Sequence, residues 1–175
     1  MPKIPYAEPG QEAAGAKPVY DQLKKGMGVV PNLVKLLGHS GPVTQAMGTN
    51  LDVYFNQLSL DPKLREIAYL TVARLNDCGY CQGHHVPAGK RAGLSDAQIG
   101  QLGESGFSSG DFSPAEQAVI RFAYETTRDV KASDEAVAAL KEHYDHKQIA
   151  EIAFVVALGN FIQRIGKNLG VELES

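Results

Sequence analysis

The 175-residue sequence has no tryptophan, only two cysteines and no long uncharged apolar run. Two cysteines cannot form the disulfide framework of a small secreted protein, and a chain of this length buries enough surface to fold without one. The longest uncharged apolar stretch, residues 152–161, is about half of what spans a bilayer. The first five residues, Met-Pro-Lys-Ile-Pro, lack the apolar region of a signal peptide. We therefore expect a cytoplasmic protein that does not associate with membranes.

The sequence also lacks a cluster of basic residues. It has 17 lysines and arginines against 20 aspartates and glutamates, and its basic pairs, Lys24-Lys25 and Lys90-Arg91, are isolated. Binding to nucleic acid or to an anionic membrane needs a basic patch, so we expect neither as a partner. Small substrates and protein partners remain.

Strand signals are scarce, and the spacing of apolar residues favours helices. Two stripes have helical spacing: Met47, Leu51, Tyr54 and Leu58, and Val119, Phe122, Ala123 and Thr126. Capping residues predict the starts of four helices, at Asp61-Pro62, Ser95-Asp96-Ala97-Gln98, Ser113-Pro114-Ala115-Glu116 and Asp145-His146-Lys147-Gln148. The only strand candidate is 27–30, and no hairpin turn lies between alternating runs. The predicted fold class is all-α, a multi-helix bundle.

Two parts of the chain differ in character. Residues 1–18 contain four of the nine prolines and predict an extended N-terminal arm, whereas residues 19–175 predict a single all-helical domain. Residues 67–73 carry no charge, which predicts a central buried helix, and residues 152–158 are similar. Glu66-Ile-Ala-Tyr and Glu151-Ile-Ala-Phe align at an offset of 85 residues, a weak signal of a degenerate two-unit repeat.

Both cysteines lie in one Cys78-x-x-Cys81 unit. Asn76-Asp77 is expected to end the buried helix and to cap a new helix that starts at Cys78, where the helix dipole and the partner thiol favour a thiolate. His84 and His85 follow Cys81 by three and four residues, so either imidazole could lie over its sulfur. Free cysteines at this spacing favour redox chemistry.

Glu66 is the candidate carboxylate of this site. If the chain reverses near Asn76-Asp77, Glu66 comes alongside residues 84–87, which include His85. Glu66 also lies on the apolar stripe of its helix, so we expect it to be buried with a partner. A carboxylate that orients an imidazole, which in turn deprotonates a thiol, is a known way to activate a nucleophile.

The run Glu66-x11-Cys78-Gly-Tyr-Cys81-x3-His85 resembles the signature of the alkylhydroperoxidase D-like branch of the carboxymuconolactone decarboxylase superfamily, over about residues 43–122. The resemblance implies an all-helical fold, a trimer or hexamer, and reduction of hydroperoxides without a bound cofactor or metal. It further implies that Cys81 attacks the peroxide, Cys78 resolves the sulfenic acid, and Glu66 and His85 relay protons. A lipoyl or thioredoxin-like protein would be the reductant. Some members carry a histidine between the cysteines, where this sequence has Tyr80.

Helix-dipole reasoning alone favours Cys78 as the more acidic thiol, but an Asp77 cap would repel its thiolate. Cys81 is the cysteine within reach of the histidines, and we follow the resemblance in taking Cys81 as the nucleophile.

Other interpretations stay open at this point. The cysteines with Glu66 and His84 or His85 could form a mixed metal site, or the pair could be inert and buried. The chain could also be a lyase acting on a lactone carboxylic acid, or a non-enzymatic redox-sensing or metal-binding helical protein. The remaining histidines (His39, His143 and His146) lack a cysteine or carboxylate at a diagnostic spacing, and we expect them at the surface or at helix caps.

Overall fold

The computed structural model describes residues 1–174, and every regular element in that range is helical. The elements are α1 (Lys17–Met27), α2 (Asn32–Leu37), α3 (Gly41–Asp52), a π-helical turn (Val53–Gln57), α4 (Pro62–Leu75), α5 (Gly79–Arg91), α6 (Asp96–Gln101), a 3-10 turn (Glu104–Phe107), α7 (Pro114–Asp129), α8 (Asp134–His143) and α9 (His146–Leu169). The all-α prediction is confirmed.

The helix starts lie where the capping residues predict them. The Asp61 carboxylate accepts hydrogen bonds from two backbone N–H groups in the first turn of α4. Ser95 and Ser113 each form a reciprocal capping box at the start of α6 and α7. Asp145 and Gln148 exchange hydrogen bonds at the start of α9. These caps satisfy N–H groups that the first helical turn leaves without partners.

The chain divides into two compact units. The first comprises Met1–Leu58 and the chain from Ile165 onward, and the second is Ser59–Arg164. In the first unit, residues 1–16 form no helix. At Ala7 this segment contacts α2 and α1: the Ala7 N–H donates to the Lys35 carbonyl, and the Tyr20 hydroxyl donates to the Ala7 carbonyl. Helix α1 begins at Lys17, just inside the predicted arm. The predicted domain boundaries stay a prediction.

The strand candidate at 27–30 is wrong. Met27 is the last residue of α1, and Gly28 ends that helix with φ 79°, a left-handed conformation that glycine adopts without a steric penalty. The apolar stripe 47–58 also loses its helical period, because α3 widens into the π-helical turn and the register changes. Met47 and Tyr54 are fully buried, whereas Leu51 and Leu58 are half-buried.

The core of the second unit forms around α4. All residues from Glu66 to Ala73 are buried, as the uncharged run predicted, and α4 packs against α5 and α7. Helix α9 is long and apolar enough to cross a membrane by length and composition alone, with a mean hydropathy of 1.4 over its best window. Core helices pass the same test, and Ile152, Val155 and Val156 of α9 have no exposed surface. The cytoplasmic location stays a prediction.

Candidate functional site

The turn between α4 and α5 brings Glu66 beside His85. Helix α4 ends at Leu75, the chain reverses over the next three residues, and α5 runs back from Gly79. Glu66 Oε2 lies 2.8 Å from Nδ1 of His85, and Glu66 is only 3% exposed. The expected hairpin pairing is therefore present. Because the carboxylate accepts at Nδ1, it fixes the ring orientation and the tautomer with the proton on that nitrogen.

The first cysteine itself caps α5. Cys78 has an extended backbone, and its sulfur accepts a hydrogen bond from the Cys81 N–H at 3.4 Å. The expected Asp77 cap is wrong by one residue, because Asp77 adopts φ 49° in the turn and its side chain is exposed. The side chain that accepts a backbone N–H at the start of the helix is therefore a thiol. A sulfur in this position gains from the positive end of the helix dipole.

Both cysteines are free thiols and both are buried, Cys78 to 1% and Cys81 to 3% exposure. The hydrogen bond with Cys78, and then burial, raise the pKa of the Cys81 thiol far above its ordinary value. A hydrogen bond from the Tyr69 hydroxyl acts in the opposite direction and is outweighed. The pair therefore resists carrying two negative charges at once, because each sulfur would face an ionised neighbour away from water.

Tyr69 belongs to the site, and sequence reasoning missed it. Its ring stacks on the His85 imidazole with centroids 3.7 Å apart and planes inclined by 20°. Its hydroxyl hydrogen-bonds the Cys81 sulfur. Tyr69 therefore touches both the imidazole and a thiol. The available signal was its position three residues after Glu66 on the same face of α4, but the uncharged run around it indicated only core packing.

His84 takes a different direction from His85. Its ring packs edge-on against Tyr80 at 4.7 Å, and both side chains are half-buried. Within residues 1–174, no group of three or more histidines, cysteines, aspartates and glutamates is arranged to hold a metal ion. His39, His143 and His146 are exposed, as expected for surface or cap positions.

A polar network supports the turn that carries Cys78. The Asn76 amide donates to Oδ1 of Asn160 at 3.0 Å and to Oε1 of Gln163 at 2.7 Å. Asn160 in turn donates to the Thr127 hydroxyl at 3.0 Å. Gln163 is 1% exposed. This network ties the end of α4 to α9 and α7, and the sequence offered no spacing that would have found it.

Comparison with known proteins identifies a family and several relatives of the same fold. The profile of the Carboxymuconolactone decarboxylase family matches residues 45–125, which contain all four predicted site residues. The uncharacterized protein YdfG of Bacillus subtilis (strain 168) is 25% identical over 124 residues, covering 69% of this chain and 83% of YdfG.

Solved structures resemble the whole chain at low identity. An alkylhydroperoxidase AhpD core protein, an uncharacterized peroxidase-related protein from Ralstonia eutropha JMP134, has a TM-score of 0.83 at 18% identity and covers 100% of this chain and 93% of its own. A peroxidase-related protein from Silicibacter sp. TM1040 has a TM-score of 0.81 at 17% identity, with 99% and 92% covered. A variant of the debrominase Bmp8 in complex with 2,3,4-tribromopyrrole has a TM-score of 0.78 at 18% identity, with 99% and 91% covered. At 17–18% identity, these similarities show only that this chain and the solved structures share a fold.

Proposed function

The chain belongs to the alkylhydroperoxidase D-like and carboxymuconolactone decarboxylase superfamily, and on that premise we propose that it is a thiol peroxidase. It would reduce small hydroperoxides through a disulfide cycle of Cys78 and Cys81. The observation that carries this proposal is the arrangement of two free, adjacent thiols at the start of α5 beside a buried Glu66–His85 pair. This is the set of groups that thiol-based peroxide reduction needs: a nucleophile, a resolving thiol and a proton carrier.

The reaction proceeds in two balanced steps. The Cys81 thiolate attacks the distal oxygen of the hydroperoxide, the O–O bond breaks, and Cys81 becomes a sulfenic acid while an alkoxide leaves. His85, held by Glu66, supplies the proton that converts the alkoxide to an alcohol. Cys78 then loses its proton and attacks the Cys81 sulfur, and the hydroxide that leaves takes up that proton to form water. The resulting disulfide is reduced by an external dithiol.

The burial of the thiols bears on which molecules can reach them. With Cys78 and Cys81 only 1% and 3% exposed, the arrangement favours small hydroperoxides over large ones. The reductant must bring a thiol to the same sulfurs, which suits a flexible dithiol such as a lipoyl group or the projecting cysteine of a thioredoxin-like protein. We further propose a cytoplasmic homo-oligomer, a trimer or hexamer. The proposed chemistry requires no bound cofactor.

A thiol count before and after peroxide tests the proposal. Fully reduced protein should show two free thiols per chain and should lose both after one equivalent of a small hydroperoxide at neutral pH. The Cys78→Ser and Cys81→Ser variants are the matched controls and should form no intramolecular disulfide. If wild-type protein keeps two free thiols after peroxide, the peroxidase proposal is wrong.

The same variants assign the two roles. Cys78→Ser should accumulate a sulfenic acid on Cys81 that a dimedone-type reagent traps, whereas Cys81→Ser should accumulate none on Cys78. The reverse pattern would exchange the nucleophile and the resolving cysteine while leaving the disulfide cycle intact.

The family name supplies the second candidate, a lyase acting on a lactone carboxylic acid. That chemistry does not use a cysteine pair, so the double variant with serine at both positions separates the two functions. Unchanged lyase turnover in that variant, together with no peroxide consumption in wild type, would favour the lyase. Stoichiometric zinc in the purified protein, with thiols that react only after chelation, would favour the metal-binding interpretation instead.

A further inference from the structure

The first unit contains a groove that the proposed peroxide chemistry does not use. The groove lies between α1 and the end of α3 and has a volume of about 400 Å³. Its apolar walls are formed by Val19, Leu23, Met27, Leu51 and Phe55. Met27 and Phe55 are each 47% exposed although both are large and apolar. A concave apolar site of this volume is typical of small-molecule binding sites.

Two glycines determine the shape of the groove. A Cβ on Gly48 of α3 would lie 2.8 Å from a methyl carbon of Val19, so glycine at this position allows α1 to pack closely on α3. A Cβ on Gly26 of α1 would meet nothing within 4 Å, so the space beside this residue is open. Both glycines line the groove. A large side chain at Gly26 would therefore fill it.

The π-helical turn holds a carboxylate in the lining of the groove. Asp52, the residue before this turn, accepts hydrogen bonds from the Asn56 amide at 2.8 Å and from the Gln57 amide at 2.6 Å. These two hydrogen bonds lower the pKa of the Asp52 carboxyl. The wider π-helical turn brings residues four and five positions after Asp52 to the same carboxylate, and such turns are frequent at functional sites. Both partners are uncharged, so the carboxylate keeps its negative charge.

We propose that this groove binds a small organic cation, a molecule with an apolar body and an ammonium group. The apolar body packs against the walls, which removes apolar surface of both molecules from water, and the ammonium donates to the Asp52 carboxylate. A ligand of the same shape with a neutral or anionic head would leave that carboxylate partly desolvated without a positive partner. Lys24 and Lys25 of α1 are exposed and do not line the groove, so the ligand supplies the positive charge. This binding site is independent of the proposed peroxidase function.

Three probes with the same carbon chain and different head groups test the proposal. Octylamine, octanol and octanoate are each titrated into the reduced full-length protein at pH 7 by isothermal titration calorimetry. Octylamine should bind about fivefold or more tightly than either of the others, because a hydrogen bond between two charged groups is stronger than one between neutral groups. Asp52→Asn keeps the shape of the side chain and should reduce that preference to within about twofold. The control Asp134→Asn, at an exposed aspartate of α8, should leave the preference unchanged.

A second variant places the binding in the groove. Gly26→Leu fills the open space beside α1 with a residue of higher helix propensity, so the helix is retained and octylamine binding should weaken by about tenfold or more. Equal affinity for the three probes, or octylamine binding that Gly26→Leu leaves unchanged, overturns the proposal. A lower assembled mass of Gly26→Leu in sedimentation would show that a second copy of the chain occupies the groove, and it would overturn the proposal too. None of these measurements uses peroxide, so their outcome leaves the peroxidase test unaffected.

Discussion

Replacing Cys78 by serine should lower the pKa of Cys81. In the wild-type chain, the hydrogen bond with Cys78 is the largest cause that raises the pKa of this thiol, followed by burial. Two unit charges about 4 Å apart repel by about 4 kcal/mol at an effective dielectric constant near 20, which is equivalent to about three pKa units. Serine removes the second thiolate and leaves the burial, so we expect the pKa of Cys81 to fall by at least about two units.

The titration should be followed by NMR of protein labelled with 13C at the cysteine Cβ positions, because seven tyrosines obscure thiolate absorbance at alkaline pH. Reduced wild type should show one thiolate per chain and no second ionisation up to about pH 11. Cys78→Ser should show a single complete titration at lower pH, and Cys81→Ser provides the matching curve for Cys78. Two thiolates that both form below about pH 10 in wild type, or a Cys81 titration that is the same with and without Cys78, would refute the coupling between the sulfurs.

Three further predictions concern the site and the scaffold. Glu66→Gln should slow peroxide consumption at least tenfold in steady-state assays while both thiols remain titratable, because an amide does not hold His85 as the proton carrier in the way a carboxylate does. An unchanged rate would remove the Glu66 carboxylate from the mechanism. Gly38→Ala should lower the free energy of unfolding in urea by about 2 kcal/mol, since its Cβ would lie 1.9 Å from the Tyr20 hydroxyl oxygen. The control Gly26→Ala in α1 places a Cβ that meets nothing within 4 Å and should raise the free energy of unfolding by up to about 1 kcal/mol. Equal effects of the two substitutions would contradict the packing at Gly38. Burial raises the pKa of Glu125, but hydrogen bonds from its partners on α7 and at the start of α8 outweigh burial and lower the pKa to about 2. The stabilisation by Glu125 is therefore present above about pH 4.5 and lost as the pH falls toward 2. Glu125→Gln should remove about 2 kcal/mol of this acid-dependent stability in denaturation curves, and a pH dependence parallel to that of wild type would contradict the prediction.

Local signals made the helices and their starts predictable. Asp61, Ser95 and Ser113 cap the helices that their sequence patterns indicate, because a cap depends on residues within one turn of it. The pairing of Glu66 with His85 was predictable for a similar reason, since a short turn between two helices places residues at equal distances from the turn opposite each other.

Other features depend on three-dimensional packing that local patterns do not contain. The π-helical turn after α3 changes the register of the apolar stripe at 47–58. Separately, the left-handed Asp77 lies in the turn before α5, and Cys78 is the cap of that helix. Tyr69 lies in an uncharged run, so the sequence indicates only core packing for it. Its place beside His85 follows from the packing of α5 on α4. Gln163 and Asn160 reach the turn only because α9 packs beside α4, more than 80 residues away in sequence.

The thiol cap of α5 links the redox state of the chain to the stability of a helix. In a pair that cycles between dithiol and disulfide, the sulfur that accepts the Cys81 N–H is a good acceptor as a thiolate and a poor one as part of a disulfide. An N-cap is worth about 1 kcal/mol, and for a two-electron couple this corresponds to about 20 mV. If the pair cycles as proposed, the cap would make it more oxidising, and each turnover would loosen and then restore the first turn of α5. A reductant would therefore act on the disulfide form, in which the first turn of α5 is least stable.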